Sequence, residues 1–457
     1  MANELDFIRR NYVFLDDNIP TVDIDDPPPE QTNVGETWDP QPAGEATWGR
    51  PPPHAPPGSD SGNPTDVPED RYDPNSTIEL IKRPLIFVPG IMGSTLSHAD
   101  IRTVGNTKRI YTGGELWPPA HHGLNSGDTM QHAIKHIGVP QKVPTGLIPN
   151  VYTKLIDFLV DEMGYKLDET LFIFPYDWTK SNNDSGRKFA GYVNHVIAKS
   201  PQWQQLGVDV ICHSMGGLVT RAAAGLYKAP IHRTVYLASP HYGASLAYFW
   251  LHPEIALKYV DSKFFSFAAE IILSLFSPLK GDEASVSKAV KALIGDLPSV
   301  YELMPDAYWF HAQHLNRYVV EDRTLNGSGV LQSWSLTYLK NQDLRDVAKF
   351  PTPQARLLAK KAMLFKQALG PQLPGNINLV LYSADHATDE KIKVEDYESG
   401  DILTNDWNDP QSTAGDGTVP KLSATGPGFA VRVPGTHNGL PNARATHYWI
   451  RRFLGST

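Results

Sequence analysis

The chain has 457 residues, 41% hydrophobic and 20% charged, with a formal net charge of −9. This is the balance of a soluble globular protein with room for a large core, and an acidic chain without a basic block is unsuited to binding nucleic-acid phosphates. The single cysteine, Cys212, excludes an internal disulfide, and no run of 18 or more apolar residues is present to span a bilayer.

Residues 1–80 are dominated by Pro, Asp, Glu, Gly, Ser and Thr, including the stretch PPPHAPP. Such a segment buries too little apolar surface to offset the entropy of ordering, so it reads as an acidic, proline-rich arm, largely irregular, with the isolated Trp38 and Trp48 as candidate anchors. Its first residues, MANELDFIRRNYVFLDDNIP, lack the apolar core and cleavage site of a secretory leader. The expectation is therefore synthesis in the cytoplasm, with any export independent of such a leader.

Ordered patterning begins at Ile81, and 81–457 reads as one domain. The run LIFV (85–88) predicts a short buried strand ending at Pro89-Gly90. PNVYTKLIDFLVDEMGY (149–165) predicts an amphipathic helix closed by Gly164, and TLFIFPYDW (170–178) a second buried strand. RKFAGYVNHVIAKS is helical in period, GVDVIC a third strand, MGGLVTRAAAGLY a third helix and HRTVYLASP a fourth strand. INLVLYSAD (377–385) and GFAVRVPG (428–435) add two strands, and PNARATHYWIRRFL a closing helix capped near Asn442. Alternating strands and helices argue for an α/β fold, a mostly parallel sheet with helices on both faces. Residues 242–350 break the alternation. There FFSFAAEIILSLFSPL (264–279) is apolar apart from a narrow stripe of Ser266, Glu270, Ser274 and Ser277, which suits a helical cap lying on a greasy surface, its own core or a lipid.

The chemistry centres on VICHSMGGLV (210–219), where an apolar strand passes into a helix with no loop between them. A turn that sharp pushes its residue outward in a strained conformation, which makes Ser214 the candidate nucleophile. Gly216 satisfies the second small position of the usual Gly-x-Ser-x-Gly elbow, and Cys212 replaces the first glycine. A serine hydroxyl needs a base, a group to orient that base, and donors for the oxyanion. His437, in the loop after the last strand, is the candidate base; His447 lies within the closing helix and reads as a packing residue. The orienting acid is Asp385, at the end of INLVLYSAD, or Asp416, between two glycines in TAGDGTVP; pattern leaves both open. The oxyanion donors are the Met215 amide at the helix N-terminus and the Ile91 amide of VPGIMGST, with Met92 as second choice.

PLIFVPGIMGSTL, FPYDW, HSMGG, AGDGTVP and PGTH together resemble, in order and context, the lecithin:cholesterol acyltransferase family, over about Arg83 to His447. The resemblance implies an α/β-hydrolase fold with an inserted cap. It also implies Ser214, Asp416 and His437 as catalytic residues, the Ile91 and Met215 amides as oxyanion hole, and Asp177 and Trp178 shaping the substrate site alongside Met92. Departures are Thr179 in place of the arginine that commonly follows Tyr-Asp-Trp, the absence of the leader and disulfides of secreted animal members, and the added arm.

Other motifs carry less. His132 and His136, four apart with His121 and His122 upstream, lack a metalloprotease glutamate, and the Asp-rich loop 401–417 does not have calcium-loop spacing, so neither metal nor cofactor is expected. The expected activity is a serine-dependent acyl hydrolase or O-acyltransferase of ester lipids or phospholipids, touching membranes peripherally through the cap. Two alternatives accompany it: a non-catalytic lipid- or partner-binding protein of the same fold, and, as a biological variant, an antibacterial lipase exported without a signal peptide.

Overall fold

A computed structural model of the chain describes residues 82–104, 107–117, 142–148, 151–244, 247, 251, 295–304, 352–370, 372–388, 393–396, 401–403, 414–426 and 429–455. The arm, the histidines at 121–136, the apolar segment 264–279 and most of 242–350 lie outside them.

The β-branched and aromatic run after Pro84 forms β1 (Leu85–Val88), buried at every position. The chain then leaves the main sheet for an antiparallel excursion, β2 (Ser94–Val104), β3 (Thr107–Trp117) and β4 (Lys142–Leu147), in the order β3-β2-β4. Helix α1 (Thr153–Asp157) runs on into a π-helical turn, Phe158–Glu162, and Gly164 takes the left-handed conformation that ends it (φ +67°). Strand β5 is shorter than TLFIFPYDW suggests: only Leu171–Ile173 pairs with β1. Helices α2 (Asn182–Ile197) and α3 (Pro201–Leu206) lead to β6 (Val208–His213), α4 (Gly216–Gly225) and β7 (Ile231–Leu237). Within 242–350 stands α5 (Pro298–Glu302), and beyond that region come α6 (Pro353–Leu369), β8 (Ile377–Tyr382) and a small hairpin, β9 (Lys393–Asp396) with β10 (Asp401–Leu403). Helix α7 (Lys421–Thr425), β11 (Ala430–Arg432) and α8 (Arg444–Leu454) close the fold.

The main sheet has six strands in the order β11-β8-β7-β6-β1-β5, and every pairing is parallel. Because successive strand residues face opposite sides, the sheet divides the core in two. Ile86, Val88, Val210, Cys212, Tyr236 and Val380 pack with α2, α4, α5 and α6 on one face. Leu85, Phe87, Ile211, Val235, Leu237, Leu379 and Leu381 pack with α1 and α8 on the other. This is the α/β-hydrolase architecture, and it explains why the strands read as continuous apolar runs. The order also contains a reversal: β1 lies between β5 and β6, so the crevice at the carboxyl ends of β1 and β6 is a topological switch point, where open parallel sheets place their sites.

Two buried ionic groups fasten the layers. Asp209, inside β6, is fully buried and takes a bidentate ion pair from Arg233 of β7, with contacts of 2.6–3.1 Å. Arg233 also donates to the carbonyls of Phe453 and Leu454 at the end of α8, so one guanidinium ties two strands to the closing helix. Glu302 of α5 accepts from the Ser181 hydroxyl (2.5 Å) and the Asn182 amide (2.6 Å), docking the segment 295–304 on the N-terminus of α2. Burial raises the Glu302 carboxyl to about 7, against the opposing pull of those hydrogen bonds.

Removing one partner of a buried pair strands the other, so Asp209→Ala should lower stability by about 3 kcal/mol in chemical denaturation, well beyond a surface substitution. Glu302 titrates higher in the folded protein than in the unfolded chain. Its contribution is therefore full below about pH 4.5 and fades as pH rises through about 7. Glu302→Gln keeps an acceptor and a donor without the charge. Melting temperatures between pH 5 and 8 should fall less with pH in this variant than in wild type, the two matching near pH 5 and the variant being the more stable by up to about 3 kcal/mol at pH 8.

Candidate active site

Strand β6 ends at His213, and α4 begins at Gly216. Ser214 carries the bend between them with φ at +52°, a conformation that costs a non-glycine residue about 1–2 kcal/mol. Neighbouring backbone holds it there. The Ser214 amide donates to the Leu237 carbonyl (2.9 Å), and the Gly217 amide to the Ser214 carbonyl (2.9 Å). At Gly216 a Cβ would overlap the carbonyls of Pro89 and Val88, so only glycine lets α4 start this close to β1. Cys212, at the position where most elbows have glycine, is accommodated because its side chain turns into the core, its Sγ 3.6 Å from the Val235 carbonyl.

The loop after β1 closes on the same point. A Cβ on Gly90 would lie 2.9 Å from Ser214 Cβ and 3.4 Å from its Oγ, so the backbone here passes directly over the hydroxyl. Ile91 follows, and Met92 turns through a positive φ (+59°), its carbonyl held by the Trp117 indole N–H at 3.0 Å. Among the described residues neither the Ile91 nor the Met215 amide has a hydrogen-bond partner, which leaves two N–H donors beside Ser214.

His437 is brought in from the loop after β11. Its Nε2 lies 2.9 Å from Ser214 Oγ and its Nδ1 2.7 Å from Asp416 Oδ2. The other Asp416 oxygen accepts the amides of Thr418 (2.9 Å) and Val419 (2.7 Å), and the Asp416 carbonyl accepts the His437 amide (2.9 Å). Ser214 is 5% exposed, Asp416 and His437 1% each. The structure thus brings Asp416, and not Asp385, to the His437 imidazole. Asp385 instead pairs with Arg432 and the Gly435 amide, and the Arg432 hydrogen bond holds it below the usual carboxylate range.

The remaining sequence candidates are fixed by contacts of their own. Trp178 is fully buried edge-on against Trp117, with its indole N–H on the Ser94 carbonyl. The Asp177 carboxylate accepts the amide and hydroxyl of Thr179, so the residue replacing the family's arginine fastens the loop it stands in. Asn442 does not cap α8, whose N-cap is Ala443; its side chain reaches α1 instead, donating to the Val151 carbonyl and accepting the Leu155 amide. His447 stacks on Phe158 at 4.2 Å, as a packing residue should. Sequence reasoning missed Tyr152 and His213. The Tyr152 hydroxyl contacts the Gly90 amide and His213 Nδ1, both at 3.0 Å, and His213 Nε2 contacts the His437 carbonyl at 3.0 Å. Position next to Ser214 was the only signal for His213, and Tyr152 gave none. Among the described residues no group of three or more His, Cys, Asp or Glu is placed to hold a metal, and no helix is long and apolar enough to cross a membrane.

A serine on a strand-to-helix bend at the switch point of a parallel sheet, with an imidazole and a carboxylate in line behind it, defines a member of the α/β-hydrolase class. The chain belongs to the lecithin:cholesterol acyltransferase family, whose model matches residues 141–425, a span holding Ser214 and Asp416 and ending short of His437. It is similar to lecithin-cholesterol acyltransferase-like 4 of Arabidopsis thaliana, 25% identical over 433 residues that cover 81% of this chain and 75% of the relative. In fold it is similar to a solved Tle4–Tli4 complex, with a TM-score of 0.53 at 14% identity, over 82% of this chain and 98% of the other. Family and fold together are those of an α/β-hydrolase-type protein.

Gly216 separates the packing from the chemistry. Gly216→Ala should force α4 off β1 and cost about 1–3 kcal/mol, measured as a lowered denaturation midpoint, whereas Gly375→Ala, where an added Cβ meets nothing, should change it by far less.

Proposed function

We propose that this protein is a serine acyl hydrolase or O-acyltransferase of ester lipids that works through an acyl-enzyme. The observation that carries this reading is the unbroken line from Asp416 through His437 to Ser214, with hydrogen bonds of 2.7 and 2.9 Å. His437 accepts the Ser214 proton as Oγ attacks an ester carbonyl. Asp416 accepts from Nδ1–H, which holds the imidazole in the tautomer with Nε2 free to act as base and steadies the cation that forms. The Ile91 and Met215 amides receive the oxyanion, each contributing about 3 kcal/mol to the transition state. His437 then returns the proton to the leaving alcohol, and the Ser214 ester is resolved by water, giving a free acid, or by an alcohol, giving a new ester.

Lipid as the substrate class rests on family membership and on the apolar segment 264–279. In this reading 242–350 is a helical cap over the 81–457 domain, touching lipid surfaces peripherally, and 1–80 is an appended arm. In the same reading Met92, Asp177 and Trp178 shape the substrate site.

Ser214→Ala should lower ester turnover by at least about 10⁴-fold while the melting temperature stays close to wild type. A fluorophosphonate should leave one adduct, on Ser214, and mass spectrometry of products from mixed phospholipids and triacylglycerols, with and without added alcohol, should report the acceptor. Asp385→Asn should stay within about twofold of wild type; near-complete activity in Ser214→Ala would sink the proposal.

A further inference from the structure

The buried contacts of Tyr152 and His213 have only one consistent arrangement of protons. A carbonyl can only accept, so His213 Nε2 carries hydrogen and donates to the His437 carbonyl. Full burial, reinforced by the neighbouring His437, drives His213 far below the ordinary imidazole range, so the ring is neutral and Nδ1 is an acceptor. The Tyr152 hydroxyl therefore donates to Nδ1, which leaves its oxygen to accept the Gly90 amide. All these bonds are 3.0 Å, and both side chains are 1% exposed or less.

The ends of this chain are two loops distant in sequence. One is the β1 loop, where Gly90 precedes the Ile91 amide; the other bears His437 itself. Between them the His213 ring lies 4.8 Å from the His437 ring and 5.6 Å from that of Tyr152. Room for the hydroxyl is provided by Gly93, where a Cβ would come within 2.9 Å of Tyr152 Oη. The second glycine of VPGIMGST thus has a role that motif reading does not give it.

We propose that Tyr152 and His213 are positioning residues that lock the oxyanion loop to the base loop across Ser214 through a one-directional hydrogen-bond relay. This rests on the acyl-transfer reading of Ser214. Without the relay, the two loops keep their separate ties, Met92 to Trp117 and His437 to Asp416, but lose this link between them, and displacement of about 1 Å at either suffices for a large loss of rate. Substrate binding is untouched, so the loss falls on kcat and not on KM.

The test uses the full chain with Tyr152→Phe, His213→Gln and the double variant. Tyr152→Phe deletes the hydroxyl; His213→Gln keeps a donor for the His437 carbonyl and loses the acceptor for Tyr152. Each variant is assayed well below its melting temperature with a soluble p-nitrophenyl ester and by the rate at which a fluorophosphonate labels Ser214. Each single variant should lose about 10- to 100-fold in kcat and in labelling rate, with KM within about threefold. Because both break the same relay, the double variant should be no more than about twofold slower than the slower single one. Wild-type rates in a folded Tyr152→Phe protein, or losses that multiply in the double variant, would overturn the relay and leave the Ser214 chemistry standing. If Tyr152→Phe melts below the assay temperature, His213→Gln and His213→Asn decide. The second retains an acceptor for Tyr152 and drops the donor to His437, and it too should lose kcat alone. A wild-type protein that Ser214→Ala leaves equally active would remove the acyl-transfer reading and the relay together.

Discussion

The site depends on a backbone constraint at one residue, the left-handed conformation of Ser214. Isolated, that conformation is unfavourable by an amount comparable to a good hydrogen bond. It persists because everything around it is already fixed: β6 is paired on both sides, α4 abuts the carbonyls of β1, and the Gly90 backbone lies against the serine side chain. The strain stays local to the bend and is offset by burial throughout the two core layers. The hydroxyl is consequently presented outward, where the other groups meet it.

Those groups come from separate parts of the sheet. The Gly90–Ile91 loop follows β1, the serine follows β6, the aspartate lies in the excursion between β8 and β11, and the histidine follows β11. All these strands run parallel, so their carboxyl ends share one edge, and chain segments more than 300 residues apart converge there without a dedicated scaffold. Both ends of the histidine loop are secured as well, at Val433 by the Tyr382 carbonyl and at Asn442 by α1. The three side chains are therefore assembled by the sheet domain itself.

Much of this was legible in the sequence because the relevant signals are local. Apolar runs ending in Gly or Pro marked the buried strands, 3.6-residue periodicity marked the helices, and HSMGG marked the bend. What failed to show was non-local. The antiparallel excursion is built from polar, half-alternating residues such as STLSHADIRTV, and its register comes from partners rather than from intrinsic preference. The choice between Asp385 and Asp416 depends on which carboxylate reaches an imidazole, and no spacing rule reports that. FPYDW reads as strand by composition, yet its backbone leaves the ladder after Ile173 so that Trp178 can reach Ser94. Asn442 has the composition of a cap and serves as a tie, since its neighbour in space, α1, is remote in the chain.

Cys212 gives the bend one more property. The chain's only thiol stands two residues from Ser214, yet it is sealed in the core, and desolvation pushes its ionisation far above neutrality. Without thiolate or solvent access, peroxide and disulfide exchange have no foothold there. This edge of the sheet thus offers no thiol chemistry to its surroundings, whether they are reducing or oxidising.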